Sequence, residues 1–188
     1  ISGMPYEFRR TKDYDAVDLL HPKNDYTDDT VMTFACAEAM LYDDDIAMCM
    51  RRRGKADVWR GYGANFADWL FAKNIEPAYY SYGNGSAMRV SSAGFMATNE
   101  EECIKFATYT AIPTHNHPEG IKGAVATALA IFYAMHGKDK DFIRQHVLNE
   151  YYPTWSEKTY AEIHPTYVMD ESCQGTVPPA IISFLESK

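Results

Sequence analysis

The chain has 188 residues, of which 46% are hydrophobic, and this is enough apolar material to bury the core of one globular domain. Its 26 acidic residues outnumber its 18 basic residues, so the formal net charge of −8 argues against a nucleic-acid partner. Every apolar run is shorter than the roughly 20 residues that span a bilayer, which argues against a membrane protein.

The cysteines are too widely spaced to indicate a metal or redox motif. Cys36, Cys49, Cys103 and Cys173 form no C-x-x-C pair, so we predict buried, reduced thiols and a cytoplasmic setting. The chain begins at Ile1 instead of Met and ends within a predicted helix. We therefore expect a fragment of a longer gene product.

Apolar periodicity predicts three helices in the first part of the chain. The first runs from Asp28 to about Tyr42 and the third covers residues 62–73, each with apolar side chains on one face. The second runs from about Asp44 to Arg53 and is expected to end at Gly54, because glycine commonly terminates helices. The three arginines at 51–53 are expected to form a solvated helix end.

The middle of the chain contains the longest periodic segment. Residues 76–94 mix Pro, Gly and Ser with aromatic residues, which indicates a glycine loop leading into a short helix. Residues 98–112 predict a helix that starts at Thr98 or Asn99, with acids in its first turn. Residues 117–135 keep an i, i+3, i+4 apolar pattern almost throughout, so we expect this helix to be central.

Two further helices are predicted at residues 140–150 and 177–185, the latter with Pro178 and Pro179 in its first turn. Convincing strands are absent from the pattern. The sequence therefore predicts an all-α fold, with residues 1–188 forming a single domain. Wide apolar stripes favour an orthogonal, globular packing over a long coiled-coil bundle.

The segment Thr27-Asp28-Asp29-Thr30 has two explanations from the residues alone. An acid or threonine at a helix start commonly caps the free amides, which explains one acid completely. Two adjacent carboxylates flanked by hydroxyls also offer the hard oxygen ligands that Mg²⁺ or Mn²⁺ requires. The spacing by itself favours capping over metal binding.

Two other segments carry polar groups at predicted helix starts. Residues 83–89 contain a Gly-Asn-Gly turn that lets the backbone approach an anion, although such turns are common without a ligand. Residues 114–120 contain His115, His117 and Glu119, which could ligate a metal, cap a helix or bond a substrate hydroxyl. A third ligand for an all-histidine zinc site is lacking, so we favour hydrogen bonding.

Six segments occur together in an order that resembles the ADP-ribosylglycohydrolase family, which includes the glycohydrolase that reactivates dinitrogenase reductase. The resemblance covers nearly the whole chain, and the family's all-α fold agrees with the predicted helices. The segments are GMPYEF (3–8), TDDTVMT (27–33), GYGANFADWL (61–70), GNGSAMRV (83–90), THNHPEGIKGA (114–124) and GTVPPAIISFLES (175–187).

The resemblance implies a two-metal centre, usually of Mg²⁺ with Mn²⁺ as an alternative. In this chain Thr27, Asp28 and Asp29 match its ligands. Glu7 matches a mobile acid that positions water or substrate and can act as a base. The resemblance thus implies catalytic roles for Glu7, Asp28 and Asp29.

The resemblance also implies a ligand-binding surface. Gly85 and Ser86 match the loop that holds the diphosphate, with Asn84 beside it, and His115 matches the histidine near the ribose and phosphates. His117 is a second histidine candidate. Gly175 and Thr176, ahead of the last predicted helix, are candidates for the adenine pocket.

The implied activity is hydrolysis of the bond between C1 of ADP-ribose and an acceptor, such as a protein arginine or a small molecule. Family members normally carry a Gly-Asp segment before the first motif and a G-D-[ST]-D-T motif that completes the metal site. Neither is in this chain, so we expect half a metal site, impaired activity and an exposed edge through which a homodimer could form. The alternative is an inactive relative that binds ADP-ribose or serves as a structural module.

Overall fold

The computed structural model describes residues 3–7 and 11–188, so Phe8 of the first family segment lies outside the described residues. The all-α prediction is confirmed: the described residues contain no strand, and Gly83 and Ser172 form one isolated antiparallel bridge. The first part of the chain contains the helices α1 (Asp28–Tyr42), α2 (Ile46–Ala56), α3 (Ala64–Phe71), α4 (Gly85–Met88), α5 (Ser91–Met96), α6 (Glu100–Ala111) and α7 (Pro118–Met135).

The second half continues with α8 (Lys140–Ile143), a π-helical turn (Arg144–Leu148), α9 (Asn149–Tyr151), α10 (Tyr160–Ile163) and α11 (Cys173–Glu186). Short 3₁₀ turns cover Met4–Tyr6, Tyr14–Ala16 and Pro153–Trp155. In the part of the chain that the structure describes, none of the helices combines the length and apolar character needed to cross a bilayer.

Side-chain caps start several helices where the sequence predicts them. Asn99 Oδ1 accepts the amide hydrogen of Glu102 at 2.9 Å, which confirms the predicted start of α6. Asp45 Oδ1 accepts the amide hydrogen of Met48 at 2.8 Å in the same way, so α2 begins at Ile46. Each cap satisfies one amide that the helix leaves without a partner.

Helix α7 lies at the centre of the larger of two hydrophobic clusters. It packs against α4, α5, α6 and α11, as its unbroken apolar pattern predicts. Small residues such as Ala124 and Ala128 are fully buried and allow the close approach of neighbouring helices. The smaller cluster joins α1, α2 and α3. All four cysteines are free and buried, as predicted.

The predicted end of α2 at Gly54 is wrong, because α2 continues to Ala56. A Cβ at Gly54 would lie 2.7 Å from both Cδ atoms of the fully buried Leu70, so this glycine allows α2 and α3 to touch. The expected solvated arginine end holds for Arg52 and Arg53, which pair with Glu38, and is wrong for Arg51.

Arg51 is buried and its guanidinium donates to the carbonyls of Trp69 and Ala72. These carbonyls lie at the C-terminal end of α3, where the helix leaves its last acceptors without helical donors. The side chain therefore caps one helix from another, a contact that the local sequence does not indicate.

The predicted start of the last helix is also wrong. Helix α11 begins at Cys173, because Ser172 Oγ accepts the amide hydrogen of Gly175 at 3.1 Å and caps it. Pro178 and Pro179 consequently lie inside the helix and not in its first turn. Gly175 and Thr176 lie in the first turn of α11 instead of preceding it.

Candidate active site

Four carboxylates converge where the N-terminal segment meets the start of α1. Glu7, Asp28, Asp29 and Glu171 form this acidic cluster, and their charges act on one another: Asp29 and Glu171 both raise the pKa of Glu7. No ion pair among the described residues involves any of the four. The cluster therefore holds an excess of negative charge.

The pKa of Asp28 is raised to about 7, first by burial and then by the negative charges of Asp29 and Glu7. The pKa of Glu7 is also raised, mainly by its partial burial. Like charges in a partly buried place destabilise the ionised forms, and a bound cation would remove that cost.

The acids at the start of α1 do not cap it through the usual N-cap position. Thr27 occupies that position, and its side chain accepts no amide hydrogen. Its hydroxyl donates to Asp29 Oδ2 at 2.9 Å, and Asp28 Oδ1 accepts the amide hydrogen of Asp29 at 3.0 Å. One Asp28 oxygen therefore has a local amide partner, and Asp29 lies on a cavity wall.

Arg60 fixes the approach of the chain to these acids. Its side chain donates to Asp57 at 2.7 Å and to Asp25 at 2.8 Å, and its guanidinium lies 3.5 Å from the centre of the Tyr26 ring. Its carbonyl accepts the amide hydrogen of Asp28 at 2.8 Å. The loop before α1 is thus tied to the loop between α2 and α3.

The glycine loop, residues 83–86, lies beside the start of α11. The amide of Asn84 donates to the Glu171 carbonyl at 2.7 Å, and its side-chain nitrogen donates to Thr176 Oγ1 at 3.2 Å. The hydrogen bonds of the described residues give the amides of Gly85 and Ser86 no acceptor. The N–H group of Gly85, which is partly exposed, remains available to an anion, whereas that of the fully buried Ser86 does not.

The structure does not expose Ser86 on this surface. The residue is fully buried, and its hydroxyl donates to the Gly120 carbonyl at 2.7 Å. In this conformation neither its side chain nor its amide is accessible to a diphosphate.

His115 lies beneath the glycine loop. It is 5% exposed, and a Cβ at Gly85 would lie 2.8 Å from its Nε2, so the loop needs glycine there to pack against the ring. Burial first, and then the positive charge of Arg89, lower the pKa of His115 to about 3. The imidazole is consequently uncharged at neutral pH.

The structure gives His117 one of the roles that the sequence left open, which is helix capping. It occupies the N-cap of α7, and its Nδ1 accepts the amide hydrogen of Glu119 at 3.0 Å. Its ring meets those of Tyr80 and Tyr82 edge-on, at centroid distances of 4.7 and 5.4 Å. The capping explanation therefore accounts for its Nδ1.

Two cavities meet at Thr176. One, of about 530 Å³, is lined by Asp29, Asn84 and Thr176 together with apolar side chains of α5, α7 and α11. The other, of about 730 Å³, is lined by Glu7 and Thr176 with aromatic side chains such as Tyr160. The fold thus brings together candidates from four separate segments, whereas the other seven line neither cavity: Thr27, Asp28, Gly85, Ser86, His115, His117 and Gly175.

The chemistry of the acidic cluster fits a hard divalent cation. It offers carboxylate and hydroxyl oxygens with unbalanced negative charge, and Mg²⁺ usually binds one or two carboxylates while keeping several waters. Within residues 3–7 and 11–188, no three His, Cys, Asp or Glu side chains are arranged as a ready metal site. Thr27, Asp28 and Asp29 therefore remain candidate ligands that do not by themselves make a complete cation site.

Sequence reasoning missed Glu171, Arg89 and Thr114. Glu171 affects Glu7 although the two are far apart in the chain, and Arg89 and Thr114 contact each other beneath the glycine loop. Arg89 and Thr114 both fall within family segments, which was the signal available. Glu171 had no such signal, because it precedes the last segment.

Sequence comparisons relate the chain to known proteins. The family model of ADP-ribosylglycohydrolase matches residues 2–183. The chain is similar to ADP-ribosylhydrolase ARH3 of Bos taurus (34% identity over 132 residues, covering 60% of this chain and 36% of that protein), of Mus musculus (35% over 131, covering 60% and 35%) and of Homo sapiens (33% over 141, covering 64% and 39%). The matched region thus spans between 35% and 39% of these relatives.

Proposed function

The chain belongs to the ADP-ribosylglycohydrolase family, and we propose that it is a metal-dependent hydrolase that removes ADP-ribose from a modified acceptor such as protein arginine. The observation that carries the proposal is the position of Asp29, Asn84 and Thr176 on one cavity wall, with Glu7 close enough for Asp29 to raise its pKa. The similarity to proteins named ADP-ribosylhydrolase supports the same reaction.

The ligand's diphosphate lies against the glycine loop in this proposal. The free amide of Gly85 donates to its oxygens, and the Asn84 side chain and His115 lie beside it. Backbone amides in such a turn bind anions without a charged side chain. The acceptor is the group to which C1 of the distal ribose is attached.

Thr27, Asp28 and Asp29 would hold Mg²⁺, with Mn²⁺ as the alternative. When bound, the cation neutralises the carboxylates and orients the ribose hydroxyls. The chain's own residues position the substrate. The acids fix the position of the ribose, and their buried neighbours exclude bulk water from one side of it.

Glu7 acts as the general base. Burial first, and then the charges of Asp29 and Glu171, raise its pKa, and a more basic carboxylate takes a proton from water more readily. The water oxygen bonds to C1 as the bond from C1 to the acceptor atom breaks. The proton from water passes to Glu7 and then to the leaving acceptor atom, so Glu7 is ionised again and the products are ADP-ribose and the unmodified acceptor.

Replacing Glu7 separates catalysis from binding. In Glu7→Gln we expect the rate of ADP-ribose release, measured with Mg²⁺ on an ADP-ribosylated arginine peptide, to fall by about 100-fold or more because the base is lost. Calorimetric titration should show that the affinity for ADP-ribose itself changes little, because the amides of the glycine loop are intact.

Glu101→Gln is the matched control, since Glu101 is an exposed acid on α6. It should keep the wild-type rate. A fully active Glu7→Gln variant would contradict the assigned base. If the wild-type chain binds ADP-ribose equally with and without Mg²⁺ and releases none from any modified acceptor, the result favours a binding module over a hydrolase.

A further inference from the structure

We propose that Arg89 and Thr114 are positioning residues that hold His115 as the tautomer with hydrogen on Nε2, so that the ring presents a donor to the glycine loop. The proposal rests on the proposed function only for the identity of the ligand at that loop. The tautomer itself follows from the hydrogen bonds that link Arg89, Thr114 and His115.

Arg89 is a buried cation without an acidic partner. It is 1% exposed, and its guanidinium donates to the Thr110 carbonyl at 3.2 Å from Nε and 2.8 Å from Nη2. Burial lowers its pKa, and the titratable groups near it are the thiols of Cys36 and Cys173 and the phenol of Tyr79, with no carboxylate among them. A buried charge compensated only by neutral acceptors is costly, which indicates a role beyond packing.

The second contact of Arg89 decides how Thr114 bonds. Nη2 donates to Thr114 Oγ1 at 2.8 Å, and a guanidinium can only donate. Thr114 Oγ1 lies 2.8 Å from His115 Nδ1, and Tyr79 is a further side-chain partner of Thr114. Burial raises the pKa of Tyr79 to about 12, so its phenol keeps its hydrogen and, in our proposal, donates it to the second lone pair of Thr114 Oγ1. The hydroxyl therefore donates to Nδ1, and the ring hydrogen of neutral His115 must be on Nε2.

The Nε2 end of His115 faces the glycine loop. A Cβ at Gly85 would lie 2.8 Å from Nε2, and one at Gly83 would lie 3.5 Å from it. The Tyr79 ring meets the imidazole edge-on, with ring centroids 6.2 Å apart. The ring is thus held from both sides, and its free donor points to where the diphosphate would bind.

The buried charge of Arg89 explains why an uncharged His115 imidazole suits the position next to the glycine loop. Burial and Arg89 keep the pKa of His115 at about 3, so the imidazole does not gain a charge when the pH varies around neutrality. Arg89, Thr114 and His115 form a hydrogen-bonded relay. Arg89 is its positive end, and it keeps its charge and polarises the Thr114 and His115 hydrogen bonds toward the loop. The relay therefore provides a fixed donor and a fixed positive potential for an anion.

The tautomer can be measured without any ligand, by two-bond ¹H–¹⁵N correlation spectra of the 188-residue chain labelled at histidine, with His115→Asn used for assignment. We expect hydrogen on Nε2 in the wild type and in Thr114→Ser, which keeps the hydroxyl. Thr114→Val lacks the donor to Nδ1, so its His115 should move to the other tautomer or to a mixture.

Thr110→Val is the matched control, because Thr110 is equally buried and its hydroxyl bonds to the Ala107 carbonyl instead. It should keep the wild-type histidine spectrum. Hydrogen on Nδ1 in the wild type would overturn the proposal, as would a Thr114→Val spectrum identical to that of the control. The wild-type and Thr114→Ser spectra decide the question even if Thr114→Val does not fold.

Binding of ADP-ribose with Mg²⁺ tests the positioning role. We expect Thr114→Val to bind about tenfold more weakly than Thr110→Val, and Thr114→Ser to bind like the wild type. Equal affinities of the two valine variants would overturn the positioning role. If the wild type itself does not bind ADP-ribose, the proposed function fails, whereas the histidine spectra still decide the tautomer.

Discussion

His115 is a buried imidazole whose charge the fold opposes. Its pKa is lowered from the ordinary value of 6.5 to about 3 by burial and by Arg89. The unfolded chain therefore binds a proton at a higher pH than the folded chain does. The stability that neutral His115 contributes is complete above about pH 6.5 and is lost as the pH falls from there toward 3.

His115→Asn should remove this pH dependence, because its side-chain oxygen can still accept from Thr114 and it cannot be protonated. Between pH 6.5 and 5, we expect the wild type to lose about 2 kcal/mol of unfolding free energy relative to the variant. Urea unfolding at several pH values measures the difference.

His164→Asn, at the end of α10, serves as the control and should follow the wild-type curve. Parallel curves for the wild type and His115→Asn would contradict the lowered pKa.

For single residues, the sequence predicted the element in which a residue lies better than it predicted the residues that it contacts. It placed Asp28 at the start of α1 and His115 in a helix-entry loop, because both assignments depend on nearby residues. It could not predict that Glu171 approaches Glu7, or that the Ser86 hydroxyl faces the core, since these depend on contacts across the fold.

Among the helices, the contact between α2 and α3 depends on one glycine. Alanine at Gly54 would favour the helix by about 1 kcal/mol through its propensity. The added methyl would also lie 2.7 Å from Leu70 Cδ1 and Cδ2, and Leu70 is fully buried with little room to move. Overpacking of this kind costs roughly 1 to 3 kcal/mol, so the steric cost should exceed the gain.

Gly54→Ala should therefore lower the free energy of unfolding by about 1 kcal/mol, measured by urea denaturation. Adding Leu70→Ala to it should cost less than the sum of the two single changes, because the smaller side chain relieves the overlap. Gly63→Ala is the control, since no atom lies within 4 Å of its added methyl. A Gly54→Ala protein more stable than the wild type would show that Leu70 adapts freely.

The sequence predicted the helix boundaries that nearby residues determine and missed those that depend on other features. Helix α1 was found at its observed bounds because its apolar residues and its acidic start agree. The end of α2 was missed because tertiary packing, and not the local pattern, decides the use of Gly54. The start of α11 was missed because Gly175 and two prolines weaken the helical pattern just where the Ser172 cap begins it.

For the whole molecule, the candidate site joins segments that belong to different parts of the fold. Asp29 lies in the first turn of α1, a helix of the smaller cluster, while Asn84 precedes α4 and Thr176 lies in the first turn of α11, a helix of the larger cluster. Glu7 comes from the N-terminal segment. A ligand that contacts all of them should oppose their separation and raise the stability of the chain as a unit.

Thermal unfolding with ligand and metal tests this linkage. At 100 times its dissociation constant, a ligand that binds only the folded chain adds about 2.7 kcal/mol, which corresponds to an increase in Tm of about 5 to 10 °C for a chain of this size. We expect ADP-ribose with Mg²⁺ to raise Tm by more than the sum of the two separate shifts, because the cation offsets the repulsion between the acidic cluster and the diphosphate. Differential scanning calorimetry measures the three shifts in Tm: with ADP-ribose, with Mg²⁺ and with both.

Asp28→Asn should lose the shift caused by Mg²⁺ and retain part of the shift caused by ADP-ribose, since the glycine loop is unchanged. Asp68→Asn, an exposed acid on α3, should behave like the wild type. Strictly additive shifts in the wild type, or an Asp28→Asn chain that responds fully to Mg²⁺, would mean that metal and nucleotide bind independently. The acidic cluster and the glycine loop would then not form one site.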